Sequence, residues 1–207
     1  MTGSSSAVFV QSLLIGLSIA APVGPIGLLT IQRTLHRGTA AGLATGLGAA
    51  AADAVYGAVG AFGVTALVNA LTAARVPLVL GGGAFLLWMA FSIWRAPMAE
   101  RAADVRGGAD LLRCFAGTFV LTLSNPATIL SFIAVFGALA GGMAVGSPWL
   151  MIAGVLLGSA LWWLLLSSAV GLARERFDRR WRRRINQVSA AVLAGFALWQ
   201  FAGLVGR

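Results

Sequence analysis

Asp53 is the one charged residue between positions 38 and 74, and the one acid of six that does not stand among arginines. The other five, Glu100, Asp104, Asp110, Glu175 and Asp178, lie in polar stretches rich in Arg. An aspartate deep in an apolar run is expensive to keep, costing roughly 2.5–3.5 kcal/mol at the centre of a membrane helix. Such a group is retained where it faces a bundle interior or a water-filled path, and there it binds cations or carries protons. Asp53 is therefore expected to cycle between neutral and charged forms, or to pair with an amine on a solute. The plainer readings are a buried tie between two helices, or a place near the headgroups.

Two proline motifs lie about half the chain apart. The first is Ala21-Pro22-Val23-Gly24-Pro25-Ile26-Gly27 and the second is Leu123-Ser124-Asn125-Pro126-Ala127-Thr128. Proline removes a backbone donor and pushes the preceding residue out of helical geometry, so each motif should break a helix. Irregular backbone inside a membrane is tolerated where it is buried in protein or lines a cavity. Broken helices at matched places in two halves of a chain point to a solute-binding site. The side chains expected there are Pro22, Gly24, Pro25, Thr30, Ser124, Asn125, Pro126 and Thr128, with Asp53 as the proton-coupling group. Two ordinary proline kinks are the simpler alternative.

The elements that must position these residues follow from the charge pattern. Of 207 residues, 59% are hydrophobic and 10% charged, against roughly 25% charged in soluble domains. The lipid bilayer must be the solvent for most of the surface. Charges divide the chain into apolar stretches at about 8–31, 39–63, 76–94, 114–140, 148–172 and 186–205, with a turn expected at 141–148. Each is long enough to cross the hydrocarbon core, which takes about 20 residues. The expected fold is all-α: one transmembrane domain of six helices over 1–207. Repeat one covers about 8–94, repeat two about 114–205, and the charged loop 95–113 joins them. An odd number of crossings per repeat makes the second three-helix set inverted relative to the first, with helices one and four broken.

All fifteen basic residues are arginines, and thirteen follow the first, third and fifth spans, against Arg75 and Arg207 on the other face. The excess marks the cytoplasmic side, which places both termini outside. The net charge of +9 thus sets orientation and gives no reason to expect nucleic acid as a partner. The run at 179–184 could in addition meet anionic lipid headgroups. The glycines at 38, 42 and 46, and at 154 and 158, recur every four residues. This spacing lets helices approach closely within the bundle, or between subunits of a homodimer. Trp88, Trp94, Trp149 and Trp199 stand towards span ends as interfacial anchors. His36, beside Arg33 and Arg37, reads as a solvated loop residue, and the single cysteine, Cys114, allows no disulfide within the chain.

The run Pro22-Val23-Gly24-Pro25-Ile26-Gly27-Leu28-Leu29-Thr30-Ile31-Gln32, followed by Arg33 to Gly38, Gly42, Gly46 and Ala52-Asp53, resembles the first half of the lysine exporter (LysE) family of amino-acid efflux proteins. Ser124-Asn125-Pro126-Ala127-Thr128-Ile129-Leu130 resembles the motif that opens that family's second half. The resemblance covers essentially the whole chain. It implies secondary export of amino acids or similar small metabolites across the plasma membrane, driven by protons or exchange. It places Gly24, Pro25, Asp53, Asn125 and Pro126 near the translocation site. The chain departs from the family pattern at Ile26 and Ala127, where polar or basic residues are common, and both changes speak against lysine or another strongly charged substrate.

Other functions fit less well. A divalent metal exporter would need ligands, and one His, one Cys and one membrane Asp form a poor set for a transition metal. An intramembrane enzyme would need a nucleophile–base pair or paired carboxylates, and no His, Lys, Glu or second Asp falls inside a span. No cofactor is expected. A passive channel would pass solute without coupling to pH, and a membrane scaffold would pass none.

Overall fold

The computed structural model describes residues 2–22, 24–62, 75–95, 107–125, 128–129, 131–132, 147–173 and 179–205. Among them are seven helices and no strand: α1 (Thr2–Ala20), α2 (Pro25–Arg37), α3 (Thr39–Phe62), α4 (Arg75–Arg95), α5 (Gly108–Leu123), α6 (Pro148–Ala173) and α7 (Arg179–Val205). Helix satisfies every backbone group within its own segment, which apolar surroundings demand. The first expected break is present, since α1 and α2 are bent by 78° at Ala21–Gly24. The second is present as the end of α5 just before Asn125. Most of the turn expected at 141–148 and most of the second half of the fourth span lie outside the described residues.

Helix ends differ from the apolar stretches in one direction. α2 runs on to Arg37, α5 starts at Gly108 and α7 starts at Arg179, so charged residues extend the helices rather than ending them. Arg113 and Asp110 form an exposed ion pair one turn apart at 3.3 Å. By length and composition α6 alone is long and apolar enough to cross a membrane among the described helices, and α1 and α2 pass the same test as a bent pair. α3 is richer in Ala and Gly because it stands at the centre, packed against α2, α5 and α6. Large apolar side chains instead cover the outer faces, among them Leu14, Leu80, Leu157, Leu165, Leu172 and Trp199. The four tryptophans expected as anchors are all exposed.

Close contacts fix how the helices run. Gly154 lies against Phe9 to Leu13 and Gly158 against Leu13 and Leu17, so α1 and α6 are parallel. Gly46 meets Trp163 while Gly57 meets Val155, so α3 and α6 are antiparallel. Gly48 lies on the Phe115 carbonyl and Tyr56 reaches the Leu123 carbonyl, so α3 and α5 are parallel. A methyl group at Gly154 would stand 2.8 Å from the Phe9 carbonyl oxygen. Gly48 and Gly154 are separated by the same 106 positions as Phe9 and Phe115, and as Asp53 and its partner Ser159.

The residues at 33 and 36 are corrections to the loop reading. Both belong to α2. Arg33 Nη1 donates to Thr45 Oγ1 at 2.9 Å, to the Cys114 carbonyl at 3.1 Å and to Thr118 Oγ1 at 3.1 Å. One guanidinium thus clasps α2 to α3 and α5. His36 Nε2 lies 2.8 Å from Asn186 Oδ1 on α7. The hydropathy pattern hid both, because a charge between spans looks the same whether it is solvated or held. Thr118→Val keeps the side chain's shape and deletes one acceptor of a charged donor, a loss of about 1.5 kcal/mol. It should lower the thermal midpoint of the detergent-purified protein, whereas Leu112→Ala on the exposed face of α5 should not.

Candidate functional site

The first break leaves α2 starting abruptly. Gly24 is its N-cap, without a side-chain cap, and Pro25 opens the helix. Pro25 has no N–H to lose and its fixed φ suits the first helical turn, so the break is built to start a helix at this point. The second break works on the carbonyls of α5. Pro126 lacks the N–H that would reach Thr122, and the Asn125 N–H bonds the Thr122 carbonyl instead, at 3.1 Å. The Leu123 carbonyl accepts a bond from the Tyr56 hydroxyl of α3 at 2.7 Å. Tyr56 also stacks on Phe132 beyond the break, with ring centroids 5.2 Å apart.

Between these breaks lies a cavity of about 250 Å³. Pro22, Gly24 and Pro25 form one wall, Asn125 and Thr128 another, and Asp53 reaches in from α3, with Trp163 and Phe196 nearby. Asp53 is only 3% exposed. Its Oδ2 accepts a 2.7 Å bond from Ser159 Oγ, which in turn accepts the Trp163 Nε1 proton at 3.1 Å. The indole thereby polarises the hydroxyl towards the carboxyl group. Among the described residues no cation pairs with Asp53, so the group is available to a proton or to a cationic part of a solute.

Six of the nine residues singled out in the sequence therefore meet at one cavity: Pro22, Gly24, Pro25, Asp53, Asn125 and Thr128. Thr30 and Ser124 do not line it. The Thr30 hydroxyl is buried and bonds the Ile26 carbonyl at 2.9 Å, a turn back in its own helix. The Ser124 hydroxyl bonds the Val120 carbonyl at 2.8 Å, and the residue borders a separate, mainly apolar cleft with Pro77, Gly82 and Gly117. Pro126 lies outside the described residues. Thr122 and Ser159 were not singled out. For Thr122 the signal was its place one turn before the second proline, and nothing in the sequence marked Ser159.

The profile of the LysE type translocator family matches residues 17–202. The chain belongs to this family. Within the LysE match fall both breaks, Asp53 and every residue described at the cavity. YahN of Escherichia coli (strain K12), an uncharacterized membrane protein, is 32% identical over 174 residues, covering 82% of this chain and 78% of its own. The chemotactic transduction protein ChpE of Pseudomonas aeruginosa is 28% identical over 207 residues, 96% of this chain and 99% of its own. The arginine exporter protein ArgO of Pectobacterium atrosepticum is 28% identical over 198 residues, 93% of this chain and 95% of its own. No solved structure matches the chain significantly. A membrane location follows from this kinship, and it agrees with the apolar outer faces of the helices.

Proposed function

We propose that this protein is a secondary exporter of amino acids or similar small zwitterionic metabolites across the plasma membrane, working by alternating access and coupled to protons or to exchange. The observation that carries the reading is the cavity in which both helix breaks meet a buried Asp53. The name of ArgO supports export of an amino acid. A cavity of about 250 Å³ is small for a binding site, where roughly 300–1,000 Å³ is usual, and suits a solute of amino-acid size. Among the described lining residues Asp53 is the single charge, which favours a solute whose side chain is uncharged.

The mechanism rests on six crossings in two inverted repeats, with both termini outside. The parallel pairs α1–α6 and α3–α5 and the antiparallel pair α3–α6 support alternate crossings. The recurrence of the Gly48–Phe115 contact as Gly154–Phe9 supports a two-fold relation between the halves. Rocking of one half against the other would expose the cavity to each side in turn.

Efflux of preloaded amino acids from cells, with and without a proton uncoupler, tests the reading. Expression should accelerate loss of at least one neutral amino acid by about tenfold or more over cells lacking the protein, and the uncoupler should remove most of that gain. Equal efflux with and without the protein, when it is present in the membrane, would sink the proposal.

A further inference from the structure

The cavity has an acidic side at Asp53, and a zwitterion needs an opposite side for its carboxylate. Two independent features converge there. The first turn of α2 is presented to the cavity by Gly24, Pro25, Ile26 and Gly27. Its leading N–H groups have no acceptor within their own helix, no side chain caps them and no acid stands in the turn. The helix dipole adds partial positive charge at this end.

The second feature is Thr122. It is 1% exposed, borders the cavity, and its hydroxyl has no hydrogen-bond partner among the described residues. Its neighbours behave differently. Thr30, Thr34, Thr45, Thr118 and Ser124 each donate to the carbonyl four residues back. That bond is the usual refuge of a hydroxyl in a helix, and Thr122 leaves it unmade. A buried hydroxyl without a partner is costly and is kept where something else completes it. Among the described residues Ser12, Ser167 and Ser189 are also unpartnered, but none of them lines the cavity, and Ser12 and Ser167 sit in helix contacts against Gly154 and Gly42.

We infer that the first turn of α2 and the Thr122 hydroxyl form a carboxylate subsite facing Asp53, so that the cavity selects free α-amino acids over amines and over their amides. This rests on the exporter reading and adds its substrate-determining residue. The amides of α2 supply the dipole end, and Thr122 on α5 supplies a second donor. The ammonium group goes to Asp53. Gly24→Ala is not diagnostic, because nothing lies within 4 Å of the added methyl. Thr122 is the position to change.

The test uses full-length protein in detergent, with the twenty amino acids and their α-amides titrated against thermal stability. Wild type should bind at least one neutral amino acid and bind its amide at least about tenfold more weakly. Thr122→Val, nearly isosteric, should weaken the acid by about tenfold and leave the amide little changed. Thr122→Ser should restore the acid. Equal binding of acid and amide by wild type, or unchanged acid binding in Thr122→Val, would overturn the subsite and leave the exporter reading standing. Wild type that binds none of the twenty overturns the subsite as a site for free α-amino acids, and the efflux assay decides the exporter reading separately.

Discussion

Asp53→Asn is expected to lower gradient-driven efflux by about 100-fold in protein that reaches the membrane in normal amount. The amide has the shape of the carboxyl group and keeps an oxygen to accept the Ser159 proton, a bond that is 2.7 Å in the native chain. What it loses is the ability to bind and release a proton and to carry negative charge. A charge-assisted bond to a solute ammonium is worth roughly 1.5–3 kcal/mol, and each 1.4 kcal/mol is about a factor of ten. Ser159→Ala should do less, about tenfold, because it removes the hydroxyl that orients the carboxyl and leaves the charge. Efflux with and without uncoupler, paired with exchange in proteoliposomes without a gradient, separates the roles. Exchange that survives in Asp53→Asn while gradient coupling disappears assigns Asp53 to the proton. Loss of both assigns it to the solute, and normal efflux with normal pH dependence removes it from the mechanism.

The place of Asp53 suits either role. Its partner Ser159 is 106 positions further on, the same offset that relates the Gly48 and Gly154 contacts. In the proposed two-fold arrangement this hydrogen bond joins equivalent positions of the two repeats. Exchanging the conformations of the halves maps the pair onto itself, so the bond can persist while the cavity opens to either side. The Arg33 clasp is different in kind. It ties α2 to α3 and α5, and the position 106 further on is Leu139, which cannot make such bonds. In the proposed two-fold arrangement the Arg33 clasp thus has no chemical twin at that position.

Much of this could be read from residue types because the membrane punishes exceptions. A lone acid in an apolar stretch and a proline in a helix each need a local reason, and the two kinds of exception met at one cavity. Residues obeying the ordinary rules carried no such mark. Thr30 and Thr122 are both helical threonines one or two turns from a break, and their sequences give no hint that one hydroxyl bonds its own backbone while the other stays free. That difference lies in side-chain rotation and in which face the neighbouring helix covers. Arg33 was misplaced for a related reason. Charge tallies treat an arginine near a span end as solvated, and only the packing of α3 and α5 around it shows the three oxygens it holds. Helix ends shifted likewise, because a helix already anchored in the bundle continues into polar residues at little cost.

Gly48→Val is expected to prevent accumulation of folded protein, with a loss of about 3 kcal/mol or more. Any side chain at Gly48 must enter the space of the Phe115 backbone, and α3 and α5 cannot separate without disturbing Asp53 and the Tyr56–Leu123 bond. Gly154→Val, at the matching contact with α1, should behave alike. Gly195→Ala makes the control, since nothing lies within 4 Å of the added methyl, and a helical Gly→Ala change there should be neutral or stabilising by roughly 0.5–1 kcal/mol. Size-exclusion profiles of detergent extracts read the outcome. The glycine spacing alone also allowed a seam between two subunits. In that case Gly48→Val would yield a well-folded monomer in place of a dimer, and the monomer peak would refute the packing account of the glycines. Loss of the folded peak in both valine variants, with Gly195→Ala intact, would place them inside one bundle, where close backbone approach holds the two halves around Asp53.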